Sequence, residues 1–159
     1  MGRAYVALGA NLGSREATLR HAVAALDSRD DSSVAGISQL RETEPVGLVR
    51  QPRFLNGAVA LDTELEPREL LDALLALERD LGRVRTGVRN GPRAIDLDLL
   101  LYDGLSLDEP GLTLPHPRLH ERRFVLEPLA DLDPGLLVPG HGAVSELLAR
   151  VDRASTLAP

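Results

Sequence analysis

Two aspartates separated by a single residue, Asp96 and Asp98, are the side chains whose type and spacing most suggest chemistry. They begin an apolar run that ends at Tyr102 and that has the pattern of a strand. Side chains alternate between the faces of a strand, so both carboxylates point the same way. We expect this strand to be buried, and two carboxylates on one face of a buried strand cost free energy unless a cation such as Mg²⁺ compensates them; Mg²⁺ prefers oxygen ligands and often bridges phosphates. The alternative is a pair of solvated acids on the polar face of an edge strand.

Arginines and glycines dominate the segment just before the aspartates. Residues 82–93 hold four arginines and three glycines. Such a run is most often a solvated surface, but the glycines predict a mobile loop. A mobile cationic loop beside a metal site is typical of a lid that closes over polyphosphate and excludes water. Arg93 can bind a phosphate through its bidentate guanidinium group, so the whole region indicates phosphoryl-group chemistry.

The elements that position these residues follow the order β-α-β-β-α-β. Strands are expected over residues 3–10, 34–42, 54–63 and from Asp96 onward. Helices are expected to begin near Ser14 and Pro67, with the second ending at Gly82. Residues 43–47 are expected to be a loop, residues 110–123 to be mostly irregular, and a short helix to lie near 143–150. This order predicts an α+β fold, a single-domain ferredoxin-like sandwich over residues 1–159, with a mainly antiparallel sheet covered by helices.

Composition limits the classes of function. The 159 residues have a formal net charge of −6, which argues against a general binder of nucleic acid or membrane surfaces. All 18 basic side chains are arginine, so the lysine of a nucleotide-binding P-loop is absent. The chain has no cysteine and no apolar run near the roughly 20 residues that span a bilayer. We therefore expect a cytoplasmic protein.

A few single residues are further candidates for a site. Phe54 and Phe124 are each more typical of a core, but as a pair they can sandwich a flat heterocycle. His116 lies between two prolines, and the spacing of the four histidines predicts no zinc site. Glu78 lies in the last turn of the second helix, where the helix dipole disfavours a negative charge and so favours a partner from outside the helix, such as an arginine of the next segment. Ordinary surface placement explains this residue at least as well.

Five segments, in order along the chain, resemble the 6-hydroxymethyl-7,8-dihydropterin pyrophosphokinase family. The defining segment is 91–102, and the others are 7–13, 51–59, 82–85 and 114–126. The resemblance extends over about residues 4–150. It implies transfer of pyrophosphate from MgATP to the hydroxymethyl group of the pterin, with release of AMP, in folate biosynthesis.

The resemblance also implies a role for each site residue. Asp96 and Asp98 would hold two Mg²⁺ ions, and Arg83 and Arg93 would be catalytic residues acting on the phosphates. Contacts to ATP are implied for Arg85, Leu112, Thr113, His116 and Arg122. Contacts to the pterin are implied for Thr43, Glu44, Val46, Phe54, Asn56 and Phe124. Asn90 stands where well-known members have tryptophan, so the loop lacks that aromatic anchor.

Two other functions stay open on the sequence alone. Another Mg-dependent nucleotide transferase or hydrolase would share the aspartates without needing the two phenylalanines. An RNA-binding ferredoxin-like module would need exposed aromatics on central strands and a basic face, which four aromatic residues and a net charge of −6 disfavour. We expect a monomer that binds ATP and a pterin and has no nucleic-acid or membrane partner.

Overall fold

An antiparallel sheet with helices on both faces organises the chain. The computed structural model describes residues 1–11, 13–43, 53–85 and 95–157, with the backbone alone for 83–85 and 155–157. In chain order its elements are β1 (Gly2–Ala10), α1 (Arg15–Asp27), β2 (Ser32–Ile37), β3 (Arg41–Thr43), β4 (Phe54–Thr63), α2 (Pro67–Arg85), β5 (Asp96–Tyr102), β6 (Leu107–Glu109), β7 (Leu112–Leu114), a 3₁₀ turn (Leu119–Glu121), α3 (Arg123–Leu132), β8 (Leu137–Val138), β9 (Gly142–Ala143) and α4 (Val144–Leu157).

The main sheet has the strand order β2-β4-β1-β5, and all of its pairings are antiparallel. The short strand β3 pairs with the beginning of β4, on the same side as β2. Two small hairpins, β6–β7 and β8–β9, lie outside this sheet. This arrangement confirms the predicted α+β sandwich with a mainly antiparallel sheet.

The alternation of side chains gives the sheet two different faces. One, which we call the leucine face, carries Val6 and Leu8 of β1 and packs against α1 and α2. The other, which we call the cleft face, carries Tyr5 and Ala7 and packs against α3 and α4. Both faces hold fully buried leucines beneath their helices, so each helix pair is fixed by its own hydrophobic core.

The pairing of β1 with β5 contains an irregularity. Within these strands the register passes from Leu99, opposite Val6, to Leu101, opposite Tyr5, which leaves Leu100 without a facing residue. An extra residue of this kind is a β-bulge. Leu100 and Leu101 therefore both pack on the cleft face, whereas Tyr102 packs with the leucine face.

Two predicted boundaries in the first half of the chain were wrong. Helix α2 continues through Gly82 to Arg85, because one interior glycine costs only about 0.5–1 kcal/mol relative to alanine and does not by itself end a helix. The strand predicted over 34–42 is two strands, β2 and β3. It is interrupted where the Ser38 hydroxyl, instead of a backbone carbonyl, accepts the amide hydrogen of Ala58 at 2.8 Å.

The second half of the chain has more regular structure than predicted. Residues 110–123 contain β7 and the 3₁₀ turn, and the helix α3 that follows was not predicted. Gly111 has a φ of +75°, so Pro110 and Gly111 form the tight turn between β6 and β7. The last helix is longer than the predicted 143–150 and ends at Leu157. None of the helices in the described ranges is long and apolar enough to cross a membrane.

Candidate active site

The beginning of β5 and the facing parts of β1 and β4 form the floor of a cleft. The register places Asn56 opposite Gly9 and Gly9 opposite Asp96, so these three residues form one row across three strands. The next row on the same face of the sheet places Asp98 opposite Ala7. Adjacent strands lie about 4.8 Å apart, so the backbones at Asn56 and Asp96 are about 10 Å apart. Only a glycine separates the predicted pterin-binding amide from the predicted metal-binding carboxylate.

A cleft of about 260 Å³, which we call the sheet cleft, opens over this floor. It is bounded by β1, β4 and β5 below and by the beginning of α3 at one side. The structure brings together eight of the predicted site residues in its lining: Thr43, Phe54, Asn56, Asp96, Asp98, His116, Arg122 and Phe124.

A second cleft of about 320 Å³, the helix cleft, lies between α2, β5 and β7. Its lining includes Leu112 and Thr113, both predicted to contact ATP, and the α2 residue Glu78. Asp98 and His116 line both clefts. The two clefts therefore meet at a carboxylate and an imidazole.

Asn56 is held at the floor of the sheet cleft by two neighbours. Its Nδ2 donates a hydrogen bond to the hydroxyl of Thr43. A Cβ atom at Gly9 would lie 2.9 Å from Asn56 Oδ1, closer than such atoms approach in proteins. Glycine at position 9 therefore leaves the space that the Asn56 amide occupies.

The two phenylalanines reach the sheet cleft from different elements. Phe54 is the first residue of β4, and Phe124 lies in the first turn of α3; both are half-buried. The guanidinium carbon of Arg122 lies 5.6 Å from the centroid of the Phe124 ring, within the range of a cation–π contact. This contact orients Arg122 along the cleft wall.

His116 is fixed by its backbone. Its amide donates a hydrogen bond to the carbonyl of Leu100, at 2.9 Å, which ties the segment after β7 to the bulge in β5. Burial lowers the pKa of His116; the charge of Asp98 opposes this shift and that of Arg122 adds to it. The imidazole at the junction of the clefts is therefore biased toward its neutral form.

The aspartates share a face as predicted, but the expectation that they are buried was wrong. Leu97, between them, is 3% exposed, whereas Asp96 is half-buried and Asp98 is exposed. This end of the cleft face extends beyond the cover of α3 and α4, so the carboxylates open into the clefts. The Leu97 amide donates to Glu78 Oε2 at 2.7 Å. Glu78 thus has a backbone partner on β5, and the side chains of the arginines in the next segment lie outside the described residues.

Asp96 and Asp98 are the oxygen donors that a divalent metal in the sheet cleft would use. No group of three or more His, Cys, Asp or Glu residues in the described parts of the chain is arranged to hold a metal ion. Mg²⁺ commonly uses only one or two carboxylates and takes its other ligands from water and substrate phosphates. The half-buried Asp96 and the exposed Asp98, on one face of β5, fit that mode of binding.

Several predicted site residues lie wholly or partly outside the described structure. Glu44, Val46 and Arg93 lie outside the described residues, as does Asn90. Arg83 and Arg85 are not in a loop but in the last turn of α2, where only the backbone is described.

Sequence reasoning missed other lining residues. Ala7 and Gly9 line the sheet cleft, and Leu71 and Leu75 line the helix cleft. A signal for the first two was present, because small residues alternate with the larger Leu8 on the strand. Leu71 and Leu75 follow the buried Leu70 and Leu74 by one position, which marks a second, less buried stripe of α2.

Comparison with known proteins identifies one family. The family model described as 7,8-dihydro-6-hydroxymethylpterin-pyrophosphokinase (HPPK) matches residues 5–134. A 2-amino-4-hydroxy-6-hydroxymethyldihydropteridine pyrophosphokinase of Pseudomonas aeruginosa is 46% identical over 147 residues, covering 92% of this chain and 90% of the relative. The enzyme of the same name from Bacillus subtilis is 48% identical over 129 residues, covering 81% and 77%.

Solved structures share the fold at lower identity. A Plasmodium falciparum HPPK-DHPS structure with pteroate has a TM-score of 0.75 and 14% identity, covering 98% of this chain and 43% of that one. An HPPK-DHPS structure described as a complex with substrates has a TM-score of 0.71 and 12% identity, covering 97% and 46%. This chain thus spans less than half the length of these structures, and at such identity they show the fold alone.

Proposed function

The chain belongs to the 7,8-dihydro-6-hydroxymethylpterin-pyrophosphokinase family, and we propose that its two clefts carry out the transfer reaction of that family. In this reaction pyrophosphate passes from ATP to the hydroxymethyl group of 6-hydroxymethyl-7,8-dihydropterin, and AMP is released. The product serves folate biosynthesis, in keeping with relatives named as folate synthesis proteins.

The observation that carries the assignment of sites is the meeting of the two clefts at Asp98 and His116. A transferase that moves a group between two bound molecules needs two pockets whose contents meet at one point. The sheet cleft holds two phenylalanines and an amide, which suit a flat, hydrogen-bonding heterocycle. The helix cleft is lined by Leu71, Leu75 and Leu112, which suit an adenine ring.

In this arrangement the pterin stacks between Phe54 and Phe124, and Asn56 reads its hydrogen-bonding edge. The triphosphate of ATP extends from the helix cleft toward Asp98. The hydroxymethyl oxygen then attacks the β-phosphorus in line with the departing oxygen of AMP, from roughly 3–3.5 Å. The new O–P bond forms as the bond between the α-phosphate oxygen and the β-phosphorus breaks, and the hydroxyl proton is released.

Charge develops on the phosphate oxygens during this transfer, and cationic groups stabilise it. Among the described residues, Arg122 is the arginine that lines the sheet cleft, beside Phe124, and its charge acts on His116 at the junction. We assign Arg83 and Arg93 to the transferring phosphates, and Arg85 to ATP, on family resemblance. Two Mg²⁺ ions held by Asp96 and Asp98 would neutralise phosphate charge when bound.

The structure favours neither alternative function. An RNA-binding sheet needs exposed aromatic residues on its central strands. Here Tyr5 of the central strand β1 and Tyr102 of β5 are buried, and Phe54, at the beginning of β4, is half-buried in the sheet cleft. Helices pack on both faces of the sheet, and the cleft face opens at the sheet cleft. A hydrolase that acts on a nucleotide alone would have no use for the paired phenylalanines of the sheet cleft.

The deciding experiment is a coupled assay for AMP. We expect AMP release that requires both the pterin alcohol and Mg²⁺. Consumption of ATP without the pterin would support the hydrolase instead, and RNA binding without turnover would support the binding module. We further propose that the chain acts as a monomer in the cytoplasm, which sedimentation of the purified protein and fractionation of its host would test.

A further inference from the structure

Arg15, the first residue of α1, reaches across to the ends of two strands of the sheet. Its Nη1 donates a hydrogen bond to the backbone carbonyl of Arg53, at 2.7 Å. Its Nη2 donates to the carboxylate of Glu42, on β3. The Arg53 guanidinium in turn lies 3.8 Å from the other oxygen of Glu42. One side chain thus joins helix α1 to both chain segments at this corner.

The two residues that Arg15 holds are each adjacent to a residue of the sheet cleft. Glu42 precedes Thr43, and Arg53 precedes Phe54; Thr43 and Phe54 face each other as the last pair of the β3–β4 ladder. Thr43 also accepts the hydrogen bond from the Asn56 amide. Arg15 itself does not line the sheet cleft in the described structure. Any effect of Arg15 on a ligand there passes through these neighbours.

This corner of the sheet needs an external support. Strand β3 has only three residues and three facing pairs with β4, and the end of so short an edge strand opens easily. The guanidinium fork is rigid and presents parallel donors, so it fixes two acceptors at once. The hydrogen bond from Arg15, and then its charge, hold the pKa of Glu42 below its usual value, which keeps the carboxylate ionised.

We propose that Arg15 is a positioning residue for the pterin: it holds the ends of β3 and β4 together so that Phe54, Thr43 and Asn56 form a ready-made wall. This inference rests on the proposed function of the sheet cleft. A preformed wall lowers the ordering cost of binding and therefore acts on affinity more than on the chemical step. In its described contacts Arg15 touches Glu42 and the Arg53 carbonyl, neither of which lines the sheet cleft.

The test is a comparison of Arg15→Ala with Arg3→Ala. Arg3 forms a similar exposed ion pair, with Asp62 at 2.6 Å, but at the opposite end of β4. For Arg15→Ala we expect KM for the pterin to rise about fivefold, with kcat and KM for ATP within twofold of wild type. For Arg3→Ala all three constants should stay within twofold. Direct binding of the pterin, followed by its own fluorescence, should weaken only in Arg15→Ala.

Glu42→Gln provides a second, milder variant, because it removes the ion pair and leaves the contact to the Arg53 carbonyl. We expect a smaller rise in pterin KM than for Arg15→Ala. The double variant should have nearly the same pterin KM as Arg15→Ala alone. If Arg15→Ala does not fold, the test is the pterin KM of Glu42→Gln divided by that of wild type.

Two results would overturn the inference. One is an unchanged pterin affinity in Arg15→Ala or, where that variant does not fold, in Glu42→Gln. The other is a fall in kcat together with a rise in KM for both substrates, since that pattern indicates general damage to the fold. Failure of the proposed function would look different, because wild type itself would then release no AMP with the pterin.

Discussion

The two faces of the central sheet are built from the same strands but are stabilised differently. On the leucine face, Val6, Leu8 and Leu61 pack against two helices with almost no exposed surface. On the cleft face the corresponding positions are occupied by smaller residues such as Ala7, Gly9 and Ala58. One face is filled by large side chains along its length, whereas the other is filled only beneath α3 and α4.

Polar contacts replace hydrophobic ones where the cleft face opens. Arg41 of β3 binds Asp131 of α3 through two hydrogen bonds, at 2.7 and 2.8 Å, and also lies near Glu127. This contact links the strand that carries Thr43 to the helix that carries Phe124. The open part of the cleft face is thus bordered by ion pairs as well as by apolar packing. The comparison therefore predicts that substitutions on the two faces have separable effects on activity and stability.

Asp98→Ala should give the largest separation. We expect kcat to fall on the order of a thousandfold, about 4 kcal/mol in activation free energy, because the substitution removes a proposed ligand for charge-neutralising Mg²⁺. Thermal stability should change little, since Asp98 is exposed. Asp30→Ala, an exposed aspartate between α1 and β2, is the matched control. Near-normal activity of Asp98→Ala across a magnesium titration would contradict the metal assignment.

Leu74→Ala should give the opposite result. Leu74 is fully buried on the leucine face, and its truncation should lower the free energy of unfolding in urea by about 2–5 kcal/mol. In the folded enzyme KM for the pterin should not change, because α2 does not line the sheet cleft in the described structure. Leu129→Ala, in α3 beneath the cleft face, should cost a similar amount and also raise KM for the pterin, because α3 carries Phe124. Equal effects of both variants on pterin KM would mean that the faces do not act separately.

Gly9→Ala should weaken pterin binding with little loss of stability. The added methyl group would lie 2.9 Å from Asn56 Oδ1, so the amide must rotate and lose its contact with Thr43. We expect pterin KM to rise about tenfold, equivalent to about 1.4 kcal/mol. Gly104→Ala is the control, since a methyl group there meets no atom within 4 Å. An unchanged pterin KM in Gly9→Ala would remove Asn56 from the list of pterin contacts.

Asp131→Asn should have the smallest effect, a modest loss of folding stability that depends on pH. The hydrogen bonds from Arg41 hold the pKa of Asp131 below its usual value. Ionised Asp131 therefore stabilises the fold at pH values above about 4, and this contribution disappears as the pH falls through the lowered pKa of the folded state. We expect Asp131→Asn to lose about 1 kcal/mol at pH 7, and this difference from wild type should shrink steadily as the pH is lowered below about 4. A loss that persisted at pH 2 would indicate lost packing instead.

Much of this arrangement could be predicted from the sequence, because local patterns of residues determine it. The alternation from Phe54 to Thr63 predicted β4 with both of its boundaries. The separation of Asp96 and Asp98 by one residue predicted their common face, and the predicted pairing of Phe54 with Phe124 agrees with their place in one cleft. These features depend on short-range periodicity, which a sequence displays directly.

Other features depend on distant contacts and could not be predicted. The exposure of Asp98 follows from where α3 and α4 end on the sheet, and α3 itself was not predicted. The role of Gly9 follows from its register with Asn56 on another strand. The continuation of α2 past Gly82 is a balance of a small glycine cost against helix propagation, which no local pattern decides.

Leu100, the extra residue of the bulge, makes the length of β5 itself a functional property. Because the bulge lies between the aspartates and Tyr102, it lets both carboxylates face the clefts while the Tyr102 hydroxyl donates to Leu65 on the opposite face. A strand shortened by this one residue would pair regularly and keep the aspartates where they are. It would also lose the carbonyl that receives the His116 amide. The family reaction would then retain its proposed metal ligands, but His116, the imidazole at the junction of the two clefts, would lose its backbone anchor.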